Sequence, residues 1–501
     1  MEYNSINDNY MIQRLFRKKD IASILRESET QNGGLKRHLS ATNLVTLGIG
    51  AIVGTGIFVI TGQAAAMYAG PALAISFVIS ALGCIMAGLC YAEFASMIPV
   101  SGSVYSYSYA TFGEFLAWFI GWDLILEYLF AVSSVSIGWS GYMVNLLGSI
   151  GIELPAHLIQ STLEHTADGW VFTGSIINFP AVFIVTLVST LLICGIKQSA
   201  FANNVIVVIK VSVILLFIGF GLSYIDVSNY TPYIPENTGN FGEFGWSGIM
   251  RAAAVIFFAY LGFDALSTAA QEARNPQKDM PKGILISLLI CATLYICVTT
   301  VLTGIVNYKE LNVDAPIALA IDKAGEGLAW LSPFIKLGAI AGISSVVLVM
   351  MLGQTRIYYA IARDGLLPPV LSKVNPRTGA PQNATVFACI VSGLVAGVFP
   401  LHVLVEMVSI GTLLAFAIVC LSILVLRKTQ PNLKRPFRVP FVPFIPLLGA
   451  GICIVQMASL PLTTWLRLII WMLAGFVIYF FYGIRKSKLN DTFSKNTPQG
   501  V

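Results

Sequence analysis

The sequence predicts an all-α integral membrane protein, with twelve transmembrane helices arranged as a five-plus-five inverted repeat in which helices 1 and 6 are broken. Three observations lead there: too few charges for a water-facing surface, twelve apolar runs of spanning length, and two glycine-interrupted runs five spans apart.

Of the 501 residues, 56% are hydrophobic and only 11% charged, with a mean hydropathy of +0.78. A soluble chain carries about 25% charged residues to keep water on its surface. Half that fraction means most of the surface faces lipid, and no polar stretch is long enough to form a soluble domain. The net charge of +5 does not suggest a nucleic-acid partner. All eight cysteines sit in apolar runs, and no CxxC or Cys/His spacing suggests a metal site. Neither a metal nor a cofactor is expected. The first 40 residues are polar, so no cleavable signal is read before the first apolar run.

A bilayer core of about 30 Å takes roughly 20 apolar residues of helix. Runs of that kind fall at 42–66, 71–98, 114–148, 178–195, 198–222, 247–272, 281–306, 328–362, 383–400, 402–426, 441–460 and 464–483. The third and eighth exceed a simple span, which predicts tilt or extension beyond the membrane. The implied organisation is an N-terminal arm (1–41), a first repeat (42–222), an inverted second repeat (247–426), two further helices (441–484) and a C-terminal tail (485–501). With the N-terminus in the cytoplasm, 24 of the 30 Lys and Arg fall on the cytoplasmic side, and connections 149–177 and 223–246 hold none. That asymmetry places both termini in the cytoplasm, and the expected location is the plasma membrane. The basic run from Arg427 to Arg438 reads as a topology-setting loop, with an anionic-lipid patch as the alternative.

Span 1 contains GIGAIVGTGIF, from Gly48 to Phe58. Each interior glycine costs a helix about 1 kcal/mol relative to alanine. Gly50 and Gly54 also make a GxxxG packing pair, which is the bland explanation. The added Thr55 and Gly56 favour an unwound segment. Span 6 carries FFAYLGFD, with Gly262 beside the mid-span carboxylate of Asp264. A charge there costs several kcal/mol unless it is satisfied, and irregular backbone at that depth must line a cavity or be covered by protein. Asp264 reads as a brace for the broken helix, with direct solute contact as the alternative. Unwound helices offer N–H groups for a carboxylate and carbonyls for an ammonium. The pattern therefore suits a small zwitterion held between the two breaks, such as an α-amino acid.

Lys210 lies about 12 residues from either end of span 5, or about 18 Å at 1.5 Å per residue. A lysine reaches only about 6 Å, so it cannot snorkel to an interface. Its ammonium must find oxygens inside the bundle. The carbonyls around Gly50, with Ser344 and Ser345 of span 8, are the expected partners. Such a lysine is either a fixed structural cation or a group that takes up and releases a proton during transport. Asp123, Glu127 and Glu93 are expected to pair with basic residues, and Met350 and Met351 to pack or floor a pocket. The four histidines show no ligand spacing.

These segments resemble the amino acid–polyamine–organocation superfamily. The likeness rests on GIGAIVGTGIF, on PVSGSVYSYSYATFGEFLAWFIGWDLILEY at 99–128, on GFDALSTAAQEARNPQKDMPKGI after the second break, and on GQTRIYYAIARDGLLP at 353–368. In order and over residues 10–490, they resemble bacterial members of its cationic amino acid transporter branch. The resemblance implies the leucine-transporter-type fold. It implies that Thr55 and Gly56 hold a substrate carboxylate, and that the Ile52 and Leu261 carbonyls accept from its ammonium. Phe258 would close over the substrate, Tyr295 would wall the pocket, and Gly54, Gly262 and Asp264 would shape the breaks. Lys210 would stand where related transporters place sodium, which favours proton coupling.

The resulting expectation is an L-amino-acid importer driven by proton symport. An exchanger on the same fold is the near alternative, and a non-transporting amino-acid sensor the distant one. No nucleophile–base, metal or phosphate-loop constellation suggests an enzyme. Expected partners are the amino acid, protons and membrane lipid. A disulfide-linked heavy subunit is not expected, because loop 149–177 lacks cysteine. A small non-covalent membrane partner stays open.

Overall fold

The computed structural model describes residues 15–19, 39–98, 103–166, 169–195, 200–268, 273–375 and 378–490. Lys197, His38, Arg377 and most of both polar arms lie outside the described residues, as do parts of two of the quoted motifs, 99–102 and 269–272.

The chain is mostly helical. Among the described residues, eight helices are long and apolar enough to cross a membrane, and four shorter apolar helices accompany them. The helices that frame the molecule are α1 (Ala41–Ile52), α2 (Leu73–Met97), α3 (Glu114–Ser149), α4 (Phe179–Ile193), α5 (Ala200–Gly221) and α6 (Gly245–Ile256). They continue as α7 (Pro276–Ile305), α8 (Ser332–Arg363), α9 (Gln382–Val398), α10 (Leu401–Thr429), α11 (Phe444–Ser459) and α12 (Leu462–Ile478). The third and eighth are long, at 36 and 32 residues.

Packing sorts these helices into two groups. α7 lies along α2 and α1, and α6 along α2. In the second group α3 lies along α8, α4 and α9, with α9 against α4. α5 bridges the groups through α1 and α8, while α10 binds α3 and α11. Both breaks therefore sit where the two groups meet.

Three short elements lie outside the apolar runs or at their margins. One is a hairpin, β1 (Leu163–Thr166) paired antiparallel with β2 (Gly169–Phe172). The others are helical segments at Ser103–Thr111 and Pro316–Lys323. All are too short to register as apolar runs.

Two charge assignments come out differently from each other. Glu93 on α2 is fully buried and does meet basic residues. Arg427 donates from Nη2 to its Oε2 at 2.6 Å, the Arg435 Nε stands 3.4 Å from Oε1, and the Val439 N–H donates at 2.6 Å. Two of the five cations of that basic run thus tie α2 to the end of α10 and to the loop that follows it. Asp123 and Glu127 are a correction. They are buried on α3, and neither carboxylate forms an ion pair with a basic residue among the described residues; Glu127 lies by the Thr412 hydroxyl of α10 instead. The reason is their direction: Asp123 faces α10 at Gly411, where a Cβ would stand 3.1 Å from its Oδ1, rather than a basic loop.

The two described ends of the chain lie on one face. Arg17 donates to the Asn490 side chain at 2.9 Å, and Lys19 pairs with Asp364 at the end of α8 at 3.1 Å.

Candidate solute site at the two helix breaks

Ser40 caps α1, its hydroxyl accepting from the Asn43 N–H. The helix stops at Ile52, and Val53 takes an extended ψ of 100°. The chain resumes helically at once: Ile57 and Phe58 both donate to the Gly54 carbonyl, opening a π-helical turn at Gly56–Ile60. The break is therefore at Val53–Gly54, and Thr55 and Gly56 belong to the first turn of the resumed half rather than to the unwound link.

A helix that stops leaves carbonyls without partners, and one that starts leaves N–H groups without partners. No backbone carbonyl among the described residues accepts from the N–H groups of Gly54, Thr55 or Gly56. The Thr55 side chain reaches only to the Val135 carbonyl, at 3.4 Å. The orphaned carbonyls on the other side of the break are held. Lys210, with no exposed surface, donates to the Gly50 carbonyl at 2.6 Å and to the Val53 carbonyl at 2.8 Å. Its third hydrogen points towards the Ser345 hydroxyl at 3.4 Å, and Ser345 in turn donates to Gly342. A cation at the end of a helix also offsets the negative pole of its dipole.

Ser344 is not among the lysine's contacts. It accepts from the Trp139 indole at 2.9 Å and donates to Ile340 at 2.7 Å. One residue along a helix is about 100° of rotation, which sends these adjacent serines to different neighbours.

In the second break, α6 tightens into a 3-10 turn at Phe257–Tyr260. Leu261 leaves it with φ −58° and ψ 139°, and Gly262 has φ +120°, a conformation that a side chain strongly disfavours. Asp264 sits at the start of the resumed helix Phe263–Thr268. Its Oδ1 accepts the Gly262 N–H at 3.1 Å and its Oδ2 accepts the Tyr128 hydroxyl at 2.9 Å. Phe258 is buried beside these groups.

The breaks touch through small residues. A Cβ on Gly56 would lie 2.4 Å from the Ala259 Cα, and one on Gly262 would lie 2.8 Å from the Ala51 carbonyl. Tyr295 of α7 reaches the same place. Its hydroxyl stands 2.9 Å from the Ile52 carbonyl and 2.8 Å from the Ala259 carbonyl, one from each broken segment. Gly54 packs on Val346, and Met350 and Met351 are buried on the same helix.

Sequence reasoning did not single out Val53, Ala259 or Tyr128. The first two act through main-chain carbonyls, which leave no mark on residue type. Tyr128 could have been noticed as a polar aromatic next to Glu127 deep in span 3.

A small ion with two poles matches this chemistry: free N–H groups for its anionic end, main-chain carbonyls for its cationic end, and, as side-chain charges at the breaks, only Lys210, held by carbonyls, and Asp264, held by the Gly262 N–H and the Tyr128 hydroxyl, among the described residues. Comparison with known proteins points the same way. A family described as "Amino acid permease" matches residues 39–482. The branched-chain amino acid permease BcaP of Bacillus subtilis is 46% identical over 478 residues, covering 95% of this chain and 99% of that protein. The methylthioribose transporter of the same organism is 45% identical over 476 residues, with the same coverage of each chain. Cationic amino acid transporter 2, vacuolar, of Arabidopsis thaliana is 38% identical, covering 84% of this chain and 64% of that protein.

Proposed function

The chain belongs to the amino acid permease family, a family of multi-pass membrane transporters and not of enzymes, and from that premise we propose that it imports L-amino acids by proton symport with alternating access. The Gly54, Thr55 and Gly56 N–H groups take the substrate carboxylate, and the Ile52 and Leu261 carbonyls take its ammonium. Lys210 couples transport to protons: while protonated it holds the Gly50 and Val53 carbonyls, and its deprotonation loosens the first break and permits inward opening. The carrying observation is this lysine, wholly buried and bonded to the carbonyls that the broken helix abandons.

The fold proposed to do this is the twelve-span, five-plus-five inverted repeat, with both termini in the cytoplasm. The two packing groups, the common face of the two chain ends and the Lys/Arg asymmetry support it. The residues at the breaks are uncharged apart from the satisfied Lys210 and Asp264, which favours a neutral side chain on the substrate. The name of the BcaP relative agrees with a branched-chain amino acid.

Uptake into proteoliposomes with an imposed inward proton gradient, competed by each amino acid in turn, tests the reading. Leucine, isoleucine and valine should compete, arginine and lysine should not, and collapsing the gradient should stop accumulation. Counterflow without any proton dependence would replace symport by exchange. The methylthioribose relative warrants a second competitor series: a sugar thioether that competed while amino acids did not would replace the substrate class.

A further inference from the structure

The basic run from Arg427 to Arg438 takes no part in the proposed transport, and the structure divides its five cations into two sets. Arg427 and Arg435 are held inside the protein. Both meet Glu93, and Arg435 also donates to the Gln430, Pro431 and Leu433 carbonyls at 2.8, 3.1 and 2.8 Å. The Val439 N–H donates to Glu93 at 2.6 Å and the Phe437 N–H to the Ser96 hydroxyl at 3.3 Å. These bonds pin the loop between α10 and α11 onto the end of α2 and give it a fixed shape.

Lys428, Lys434 and Arg438 form the other set. All three are exposed, and none makes an ion pair or a hydrogen bond among the described residues. Glu93 is one carboxylate beside two arginines, and Arg435 is crowded by the charges of both Arg427 and Arg438. Folding thus concentrates positive charge that the described protein does not neutralise, and such a surface draws anions. Just past the loop stand Phe441, 81% exposed, and Phe444, 67% exposed, with Leu447 and Leu448 continuing the exposed face of α11.

We propose that this loop binds an anionic phospholipid. Lys428, Lys434 and Arg438 take the headgroup phosphate, and the acyl chains lie along Phe441, Phe444, Leu447 and Leu448. The occupant is a lipid rather than a soluble anion, because the cations stand beside exposed apolar side chains that a free phosphate would leave bare. A zwitterionic lipid fits less well, since its own ammonium is repelled by the three cations. Each cation beside an anionic headgroup is worth about fivefold in affinity. A role confined to setting topology acts during insertion and gives the folded protein no lipid preference.

Native mass spectrometry of the purified protein, titrated with phosphatidylglycerol and with phosphatidylcholine of the same acyl chains, tests this. The wild-type protein should prefer phosphatidylglycerol, and Lys428→Gln/Lys434→Gln/Arg438→Gln should cut that preference at least about tenfold. Arg274→Gln/Lys278→Gln/Lys282→Gln removes three exposed charges near the start of α7 and should leave the preference within about twofold. No preference in the wild type, or an equal change in the two triple variants, overturns the proposal. So does displacement of the lipid by glycerol phosphate, which would make the ligand a free phosphate. Should the loop variant not fold, the three single substitutions read the same ratio, and each should lower it about threefold. Single variants that all keep the wild-type ratio overturn the proposal.

Discussion

The two breaks are chemical opposites. At the first, the orphaned groups that need help are carbonyls, and a cation from another helix supplies it: Lys210 on Gly50 and Val53. At the second, the group that needs help is an N–H, and a local anion supplies it: Asp264 on Gly262. The first leaves three N–H groups at the start of a helix without a backbone acceptor, while the second turns the chain out of helical geometry at Leu261. Each break is stabilised on one polarity and open on the other, and under the proposed function a dipolar solute would complete what neither break completes by itself.

The sharpest way to test that pairing is to separate the breaks. Gly56→Ala puts a methyl 2.4 Å from the Ala259 Cα, and Gly262→Ala combines a clash at Ala51 with a left-handed φ. Each should lower proteoliposome uptake about a hundredfold or more, since a displacement of roughly 1 Å at a positioned site costs that much. An active Gly56→Ala would mean that the close approach of the two segments does not matter.

Next in size is the cation. Lys210→Met strands two buried carbonyls, a loss of about 1–3 kcal/mol each, and should lower the melting temperature. It should also abolish proton-driven accumulation while sparing counterflow. If gradient-driven uptake persists in Lys210→Met, the lysine is a structural cap and coupling lies elsewhere.

The anionic brace should matter less when its shape is kept. Asp264→Asn retains an oxygen for the Gly262 N–H and should stay close to wild type in thermal stability. Asp264→Ala leaves that N–H and the Tyr128 hydroxyl unpaired, for about 1–3 kcal/mol apiece. Equal behaviour of the two variants would show that the charge, and not the hydrogen bonding, holds the second break.

The smallest effects concern the serines of α8. Ser345→Ala removes the lysine's longest contact and should cost about 1 kcal/mol, with a weaker proton dependence of uptake. Ser344→Ala should leave that dependence unchanged, because its hydroxyl serves Trp139 instead. Reversed results would place the ammonium on the other face of α8.

Much of this was legible in the residues themselves. Apolar runs mark where helices lie, because lipid and packed protein both demand apolar side chains over a fixed length. The crowding of glycine between Gly48 and Gly56, and the Gly262–Asp264 pair, mark where helices weaken, because propensity and buried charge are properties of residue type. A lysine in the middle of span 5 announces that oxygens must be waiting for it. Less legible was the position of the first break. It falls at Val53–Gly54, one step before the segment marked by Thr55 and Gly56, where Lys210 of another helix holds the carbonyls. The pairing of Asp123 and Glu127 was misread because span position does not reveal which way a helix face points.

By itself, then, the sequence determined the membrane class, the helix positions, the two weak points and the presence of a buried cation that must be satisfied, since each follows from composition and local spacing. Only the tertiary structure decided which atoms satisfy which. It chose Ser345 over Ser344, gave Asp264 to Tyr128, and brought Tyr295 between the carbonyls of Ile52 and Ala259. Those partners are main-chain atoms or side chains brought from distant helices, and a main-chain carbonyl looks the same in every residue until packing decides what stands in front of it.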